Sequence, residues 1–270
     1  MSSIRLAYPV ATTDINAPLM VMQGDFKDNL RTLSNIGYRA IELSLRDPHV
    51  LEDGDYYNIL DEYGMNVAAI STAAIASQDG LRLLDPNPEK ANEAFRRVKN
   101  AIKVAQKFSC PLLIGKFRGK TSGEDGTTYE DLKTIFTKIG RIAEDSGVKV
   151  LIEPQNAMNM NNLNTVDETL AFIATLGCKS LGIHPDTYHM DISEEDLIGA
   201  LIRCKGHTSF IHVSDSERLL PGNGHINFNP VIDALKDIDF NGYISPEVKQ
   251  IPDSERIAKD FFAKYSFIER

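Results

Sequence analysis

Residues Tyr129–Pro154 read YEDLKTIFTKIGRIAEDSGVKVLIEP. Leu132, Ile135, Phe136, Ile139, Ile142 and Ala143 recur at helical spacing and share one face. Thr128 and Asp131 have the spacing of an N-terminal cap. Gly147 stands where a helix end needs a residue free to turn left-handed. Val148–Glu153 then runs as a short, apolar, β-branched strand. The stretch is therefore one helix, one glycine and one strand, with a carboxylate at the strand's far end.

The same unit recurs along the chain. Strand candidates are Ile4–Ala7, Ala40–Leu43, Val67–Ser71, Leu112–Lys116, Val148–Glu153, Ser180–Ile183, Phe210–Val213 and Tyr243–Glu247. Gly37, Gly64, Gly177 and Gly206 precede strands as Gly147 does, and Thr165…Glu168 and Ser193…Asp196 repeat the cap pattern. From the fifth strand on, starts lie about thirty residues apart, the size of a βα unit. Eight strands alternating with helices predict an α/β fold, a single (β/α)8 (TIM) barrel over residues 1–270. An open dinucleotide-binding sheet is disfavoured, because no GxGxxG follows the first strand. The longer third unit, around 72–90, is expected to form a lid over the barrel mouth.

Composition narrows the partners. A formal net charge of −9 weighs against a nucleic-acid partner, which usually meets a basic surface. Cys110, Cys178 and Cys204 are widely spaced and form no CxxC pair, as expected of reduced thiols in a cytoplasmic protein. The N-terminus lacks the pattern of a signal peptide, and no run approaches the roughly 18 apolar residues of a membrane span.

In such barrels chemistry sits at the C-terminal ends of the strands. The last four candidates end in or near Glu153, Asp186, His212 and Glu247. One strand-end carboxylate is most often a helix cap. Four polar residues on consecutive strands are harder to explain so, and three converging carboxylates call for bound positive charge. Three oxygen donors and one imidazole suit a divalent ion such as Mn²⁺, Mg²⁺ or Co²⁺, leaving about two positions of an octahedron open to substrate oxygens.

The segments PDTYHMDISEED (185–196), HVSDSERLLPGNGHINF (212–228) and GYISPE (242–247) resemble the xylose-isomerase-like TIM barrel superfamily. Within it the chain is most similar to the ketose 3-epimerases (D-tagatose and D-psicose 3-epimerases), with hydroxypyruvate isomerases nearby. The similarity is strong from Leu151 to Val248 and general before that. It implies metal ligands Glu153, Asp186, His212 and Glu247, with Mn²⁺ the ion most expected. Glu153 and Glu247 would double as the acid/base pair, and His189 and Arg218 would hold substrate oxygens. The implied reaction removes a proton beside a ketone, through a metal-bound cis-enediolate, and returns it. A small sugar substrate, no nucleic acid, no membrane and a possible homo-oligomer complete the expectation.

One segment departs from the pattern. The family's fifth strand continues Glu-Pro-x-Asn-Arg and then another Glu. Here it reads EPQNAMNMNN, so Asn156 remains as a substrate contact, Ala157 replaces Arg, and no acidic residue follows before Asp167. A metal-dependent lyase, eliminating water or a glycosyl group after the same proton removal, is therefore the alternative reading. A DNA-repair endonuclease of this fold would need more histidines and a basic groove.

Four further residues are candidates. Lys116 and Arg118 alternate along LIGKFRGK and are expected at the mouth, with Lys116 a contact for a substrate anion. Glu42 is expected to orient a histidine ligand and His225 to support the loop after the seventh strand. His184 is expected to matter less than its neighbours, and His49 and His207 to lie on the surface.

Overall fold

The computed structural model describes residues 3–121 and 126–269. Its strands are β1 (Ser3–Leu6), β2 (Tyr8–Ala11), β3 (Ala40–Ser44), β4 (Asn66–Ser71), β5 (Leu112–Ile114), β6 (Val150–Ile152), β7 (Leu181–Ile183), β8 (Phe210–Val213) and β9 (Asn241–Pro246). Between them run α1 (Phe26–Ile36), α2 (Val50–Asp53), α3 (Tyr56–Glu62), α4 (Ala73–Gln78), α5 (Pro88–Phe108) and α6 (Tyr129–Ser146). The second half adds α7 (Val166–Leu176), α8 (Thr187–Ser193), α9 (Leu197–Arg203), α10 (Phe228–Asp237) and α11 (Ser254–Tyr265).

Helix α6 shows how the local signals act. Thr128 Oγ1 accepts the Asp131 N–H at 3.1 Å, and Asp131 Oδ2 accepts the Thr128 N–H at 2.8 Å. Gly147 closes the helix at φ 67°, where a side chain would be strained. Leu132, Phe136, Ile139 and Ala143 bury the inner face.

All strand pairs are parallel. They form two arcs, β2-β3-β4-β5-β6-β7 and β1-β9-β8. The segment 3–11 joins the arcs at one seam: its first half pairs with β9 and its second half with β3. At the other seam the His212 N–H donates to Pro185 O at 3.0 Å and the Ile183 N–H to His207 O at 2.8 Å. The ring thus closes as the α/β barrel expected from the sequence. The first strand reaches four residues beyond the predicted Ile4–Ala7. Pro9 hid its second half, since proline donates no ladder bond; here Pro9 instead accepts from the Met22 N–H at 2.8 Å.

Two apolar layers position the site. The large core lies between strands and helices. A smaller cluster gathers Ala40, Ala69, Leu113, Leu151, Phe210 and Tyr243 from six strands, which can meet only inside the ring. This plug closes the barrel interior and leaves the C-terminal ends of the strands as the polar mouth. Residues 72–90 line one side of it. Their inner half contributes Thr72, Ala73 and Ser77 to the cavity. Their outer half is laced to the turn after β5 by Leu83 N–H to Phe117 O at 2.9 Å and Leu84 N–H to Arg118 O at 3.0 Å.

Cys110, Cys178 and Cys204 are buried free thiols. No helix among the described residues is long and apolar enough to cross a membrane.

Candidate active site

Three of the last four strands end one to three residues before a polar side chain that faces the mouth, and the fourth carries one within it. Glu153 follows β6 directly, and Glu247 follows β9. Asp186 lies three residues past β7, where it caps α8: its Oδ1 accepts the Tyr188 N–H at 2.9 Å. Oδ2 faces the site, so this carboxylate is both a cap and a site residue. His212 lies within β8. Ligand-type atoms of Glu153, Asp186, His212 and Glu247 all fall within 4.8 Å of one another.

His212 is aimed from behind. Its Nε2 lies 2.9 Å from Glu42 Oε2, which also accepts the Ser245 hydroxyl at 2.8 Å. That contact leaves Nδ1 pointing forward, 3.7 Å from Glu153 Oε1, 3.7 Å from Glu247 Oε2 and 4.0 Å from Asp186 Oδ2. A carboxylate behind an imidazole in this way sets its tautomer and its direction.

Arg218 supplies the positive charge on the opposite side. It meets Asp186 Oδ2 at 2.6 Å and Glu247 Oε2 at 2.9 Å, donates to Ser214 Oγ at 3.1 Å and stacks over the Tyr188 ring at 4.3 Å. Its loop is held in an unusual path. Glu217 and Arg218 are both left-handed, at φ 61° and 59°, a conformation that costs non-glycine residues on the order of 1–3 kcal/mol each. Asp215 offsets this by accepting the N–H groups of Ser216, Gly222 and Ile226 at 2.7–2.9 Å. The Lys249 N–H donates to Arg218 O at 2.9 Å and ties the loop to the chain after β9.

Burial and charge split the two glutamates. Burial, with Glu153 and Asp186 nearby, pushes the Glu247 carboxyl up to about 7 despite Arg218 and His212. Glu153 is buried more deeply still, but the imidazoles of His212, His184 and His189 hold it well below the usual carboxylate range. His212 moves up: burial opposes its charge, and the carboxylates of Glu42 and Glu247 prevail. Two carboxyl groups driven apart in this way can serve as proton donor and proton acceptor.

The donors fit a cation. Glu153 Oε1 and His212 Nδ1 are buried without a hydrogen-bond partner among the described residues, and they face each other across 3.7 Å. Buried orphan acceptors grouped with two more carboxylates match the oxygen-rich, single-imidazole set that hard divalent ions take.

A family model described as xylose isomerase-like TIM barrel matches residues 30–265. The chain belongs to this family. Among its relatives, the ketose 3-epimerase of Arthrobacter globiformis is 28% identical over 228 residues, 83% of this chain and 76% of that protein. An L-ribulose 3-epimerase from Methylomonas sp. (strain DH-1) is 26% identical over 216 residues, covering 78% of this chain and 74% of that protein. In three dimensions, a 3-keto-D-glucoside 4-epimerase from E. coli superposes with a TM-score of 0.78 at 17% identity, over 99% of this chain and 100% of that one. The structural likeness shows the same barrel fold, and the relatives' names are those of epimerases rather than lyases.

Against this family frame, the remaining candidates fall in different places. Glu42 stands directly behind His212. His189 lies on α8, with Nε2 3.0 Å from Arg218 Nη2, and lines the cavity. Lys116 also lines the cavity, though from a 3-10 turn (Lys116–Arg118) after a strand that stops at Ile114. A 3-10 turn rotates about 120° per residue instead of 180°, so the expected alternation fails. Arg118 accordingly points inward, wholly buried, and donates to Asn162 Oδ1 at 2.8 Å and Glu153 O at 2.9 Å. It braces the segment that carries Glu153.

One expectation is corrected. Asn156 does not line the cavity. Its side chain turns behind His189, 2.8 Å from Nδ1, and accepts the Met158 N–H at 3.1 Å. His225 is exposed; its N–H donates to Ser216 Oγ at 3.2 Å and its Nε2 lies 2.9 Å from Asp191, so it links the loop after β8 to α8.

Two residues were underrated or missed. Gln155 lines the cavity, and its Nε2 donates to Glu153 Oε2. His184 lines it too. Burial and neighbouring His212 hold its imidazole down to about 4. Period two from Gly182 placed His184 inward, and from Glu153 it placed Gln155 inward, so both were readable. Gly115 completes the wall: a Cβ there would collide with Glu153 Oε2. Gly115→Ala is thus expected to displace Glu153 and cut turnover on the order of 10²-fold. Steady-state kinetics with a matched thermal melt check it.

Proposed function

We propose that this protein is a divalent-metal-dependent epimerase or isomerase of carbohydrate metabolism, acting on a small ketose or related keto-sugar, with Mn²⁺ as its ion. The observation that carries this reading is the pair Glu153 and Glu247, each 3.7 Å from His212 Nδ1 and grouped with Asp186. The cavity, about 190 Å³, matches a molecule of monosaccharide size. Glu153, Asp186, His212 and Glu247 would hold the ion. When bound, it supplies fixed positive charge against the oxygens of the reacting ketone.

The chain's own groups do the rest. One of Glu153 and Glu247 takes the proton from the carbon beside the ketone. The other returns a proton to the opposite face of the planar enediolate, which inverts that carbon. Arg218, with fixed donors in a plane, and His189 beside it orient the ketone and a neighbouring hydroxyl. Ala157, Gln155 and Asn159 leave this wall uncharged, so its grip on the far end of the sugar differs from the family pattern. Lys116 is the contact for a polar or anionic group near the mouth.

The test is deuterium wash-in. Mn²⁺-loaded enzyme is incubated in D₂O with D-allulose, D-tagatose or L-ribulose, quenched, and the sugars are analysed by NMR. The expected result is deuterium at C3 together with the C3 epimer. Deuterium-free epimer, or a dehydrated product, contradicts it; the second outcome would restore the lyase.

Metal uptake is also expected to release protons. His212 binds its proton more tightly than a free histidine, and Glu247 stays partly protonated near neutrality, so an ion must displace both. Affinity therefore rises with pH across the neutral range. Titrating Mn²⁺ into unbuffered protein, with a pH electrode, checks the sign.

The same reading takes residues 1–270 as one barrel domain in the cytoplasm, with 72–90 as a lid over the mouth. Exposed Met158 and Ile251, 71% and 69% accessible on mouth loops, favour a homo-oligomer that buries them.

A further inference from the structure

Arg218 divides the cluster into two halves of different character. On its side, Asp186 Oδ2 and Glu247 Oε2 are already paired with a cation at 2.6 and 2.9 Å. On the far side, His184, His212 and Glu153 meet no such group. His184 is 1% exposed, and both its Nδ1 and Nε2 lack a hydrogen-bond partner among the described residues. Its ring packs against His212 at 4.2 Å between centroids and against Phe210 at 5.6 Å. Phe210 belongs to the apolar plug and offers nothing to bond.

A buried imidazole with two orphan nitrogens is costly unless something binds it. Ligand-type atoms of Glu153, His184 and His212 lie within 4.8 Å of one another. Glu42 occupies His212 Nε2, and Gln155 occupies Glu153 Oε2. The atoms still free on these partners are His212 Nδ1 and Glu153 Oε1, both unbonded. Three free donors therefore converge, two nitrogens and one oxygen, beside the open cavity.

We propose that His184 is a metal donor: with Glu153 and His212 it forms a second, nitrogen-rich position for a divalent cation of the Zn²⁺ type. The position is used while Arg218 stays paired with Asp186 and Glu247. It shares His212 and Glu153 with the oxygen-rich position, so one ion occupies either place, never both. Two imidazoles and one carboxylate favour borderline ions such as Zn²⁺ or Co²⁺ over Mn²⁺, which prefers oxygen. The inference rests on the metal reading of the site, and extends it to which ion is held where.

The experiment uses purified full-length protein, stripped with chelator and titrated separately with Zn²⁺ and Mn²⁺ by calorimetry. Wild type, His184→Gln, His184→Phe and Asp186→Asn are compared, each first shown to melt like wild type. The expected result is a double dissociation. Both His184 variants weaken Zn²⁺ by about tenfold or more and leave Mn²⁺ unchanged. Asp186→Asn weakens Mn²⁺ and leaves Zn²⁺ nearly unchanged. Visible absorption of the Co²⁺-loaded protein changes in the His184 variants, which a merely structural histidine would not cause. If a folded His184 variant binds Zn²⁺ as wild type does, or loses both ions in parallel, the second position does not exist. If wild type binds neither ion, the metal reading itself fails, and this inference with it.

Discussion

Glu247→Gln is expected to lower kcat by about 10³-fold at saturating Mn²⁺ while the protein keeps its fold. The substitution preserves shape and the amide oxygen, but it removes the group that can gain and lose a proton. Glu247 is the member of the pair that burial and neighbouring carboxylates push up to about 7, where both protonation states are populated at working pH. Its Oε2 faces Arg218 at 2.9 Å and His212 Nδ1 at 3.7 Å, so an amide can still sit there. The informative comparison is deuterium exchange against epimer formation. A variant lacking one member of a two-carboxylate device should lose both if Glu247 takes the first proton. It should keep exchange and lose inversion if Glu153 does. A kcat within a few-fold of wild type would remove Glu247 from the chemistry.

Arg218→Met should act on two quantities at once. In ligand-free protein, Arg218 neutralises two of three clustered carboxylates, one of them, Asp186, fully buried. Removing one partner of a buried ion pair costs about 3 kcal/mol or more, because the remaining charges are left uncompensated. The variant is therefore expected to melt lower than wild type without metal, and added Mn²⁺ should recover most of the difference by replacing the lost charge. Activity should not recover with it. The planar guanidinium also sits 3.0 Å from His189 Nε2, and loss of that oriented donor pair should raise KM and lower kcat together. Arg218→Lys should restore melting better than turnover, since an ammonium supplies charge without the paired, planar donors.

The sequence made the site legible where chain geometry is regular. A strand in a parallel barrel must deliver its last inward side chain to the mouth, so Glu153, His212 and Glu247 could be read from the ends of apolar runs. Asp186 looked like a possible helix cap and is one; its second oxygen serves the cluster. Legibility failed where the backbone leaves regular form. The turn Lys116–Arg118 broke the strand period and sent Arg118 into the protein. Pro9 concealed half of the first strand. Glu217 and Arg218 adopt left-handed backbone that nothing local announces, because the Asp215 network that stabilises it reaches eleven residues ahead to Ile226. Asn156 and His184 were misjudged for a different reason. Which of two adjacent polar residues faces a cavity depends on whether the strand period carries past the last ladder bond, as it does at His184 and Gln155.

The most direct test of the central claim is equilibrium binding of Mn²⁺ to purified, chelator-stripped protein, wild type against Asp186→Asn. Asparagine keeps the cap on α8 and the side-chain shape, so only the charged oxygen is removed. The account predicts one tightly held ion per chain in wild type and binding weakened by about 10²-fold or more in the variant. No stoichiometric ion in wild type, or equal affinity in both proteins, would contradict it.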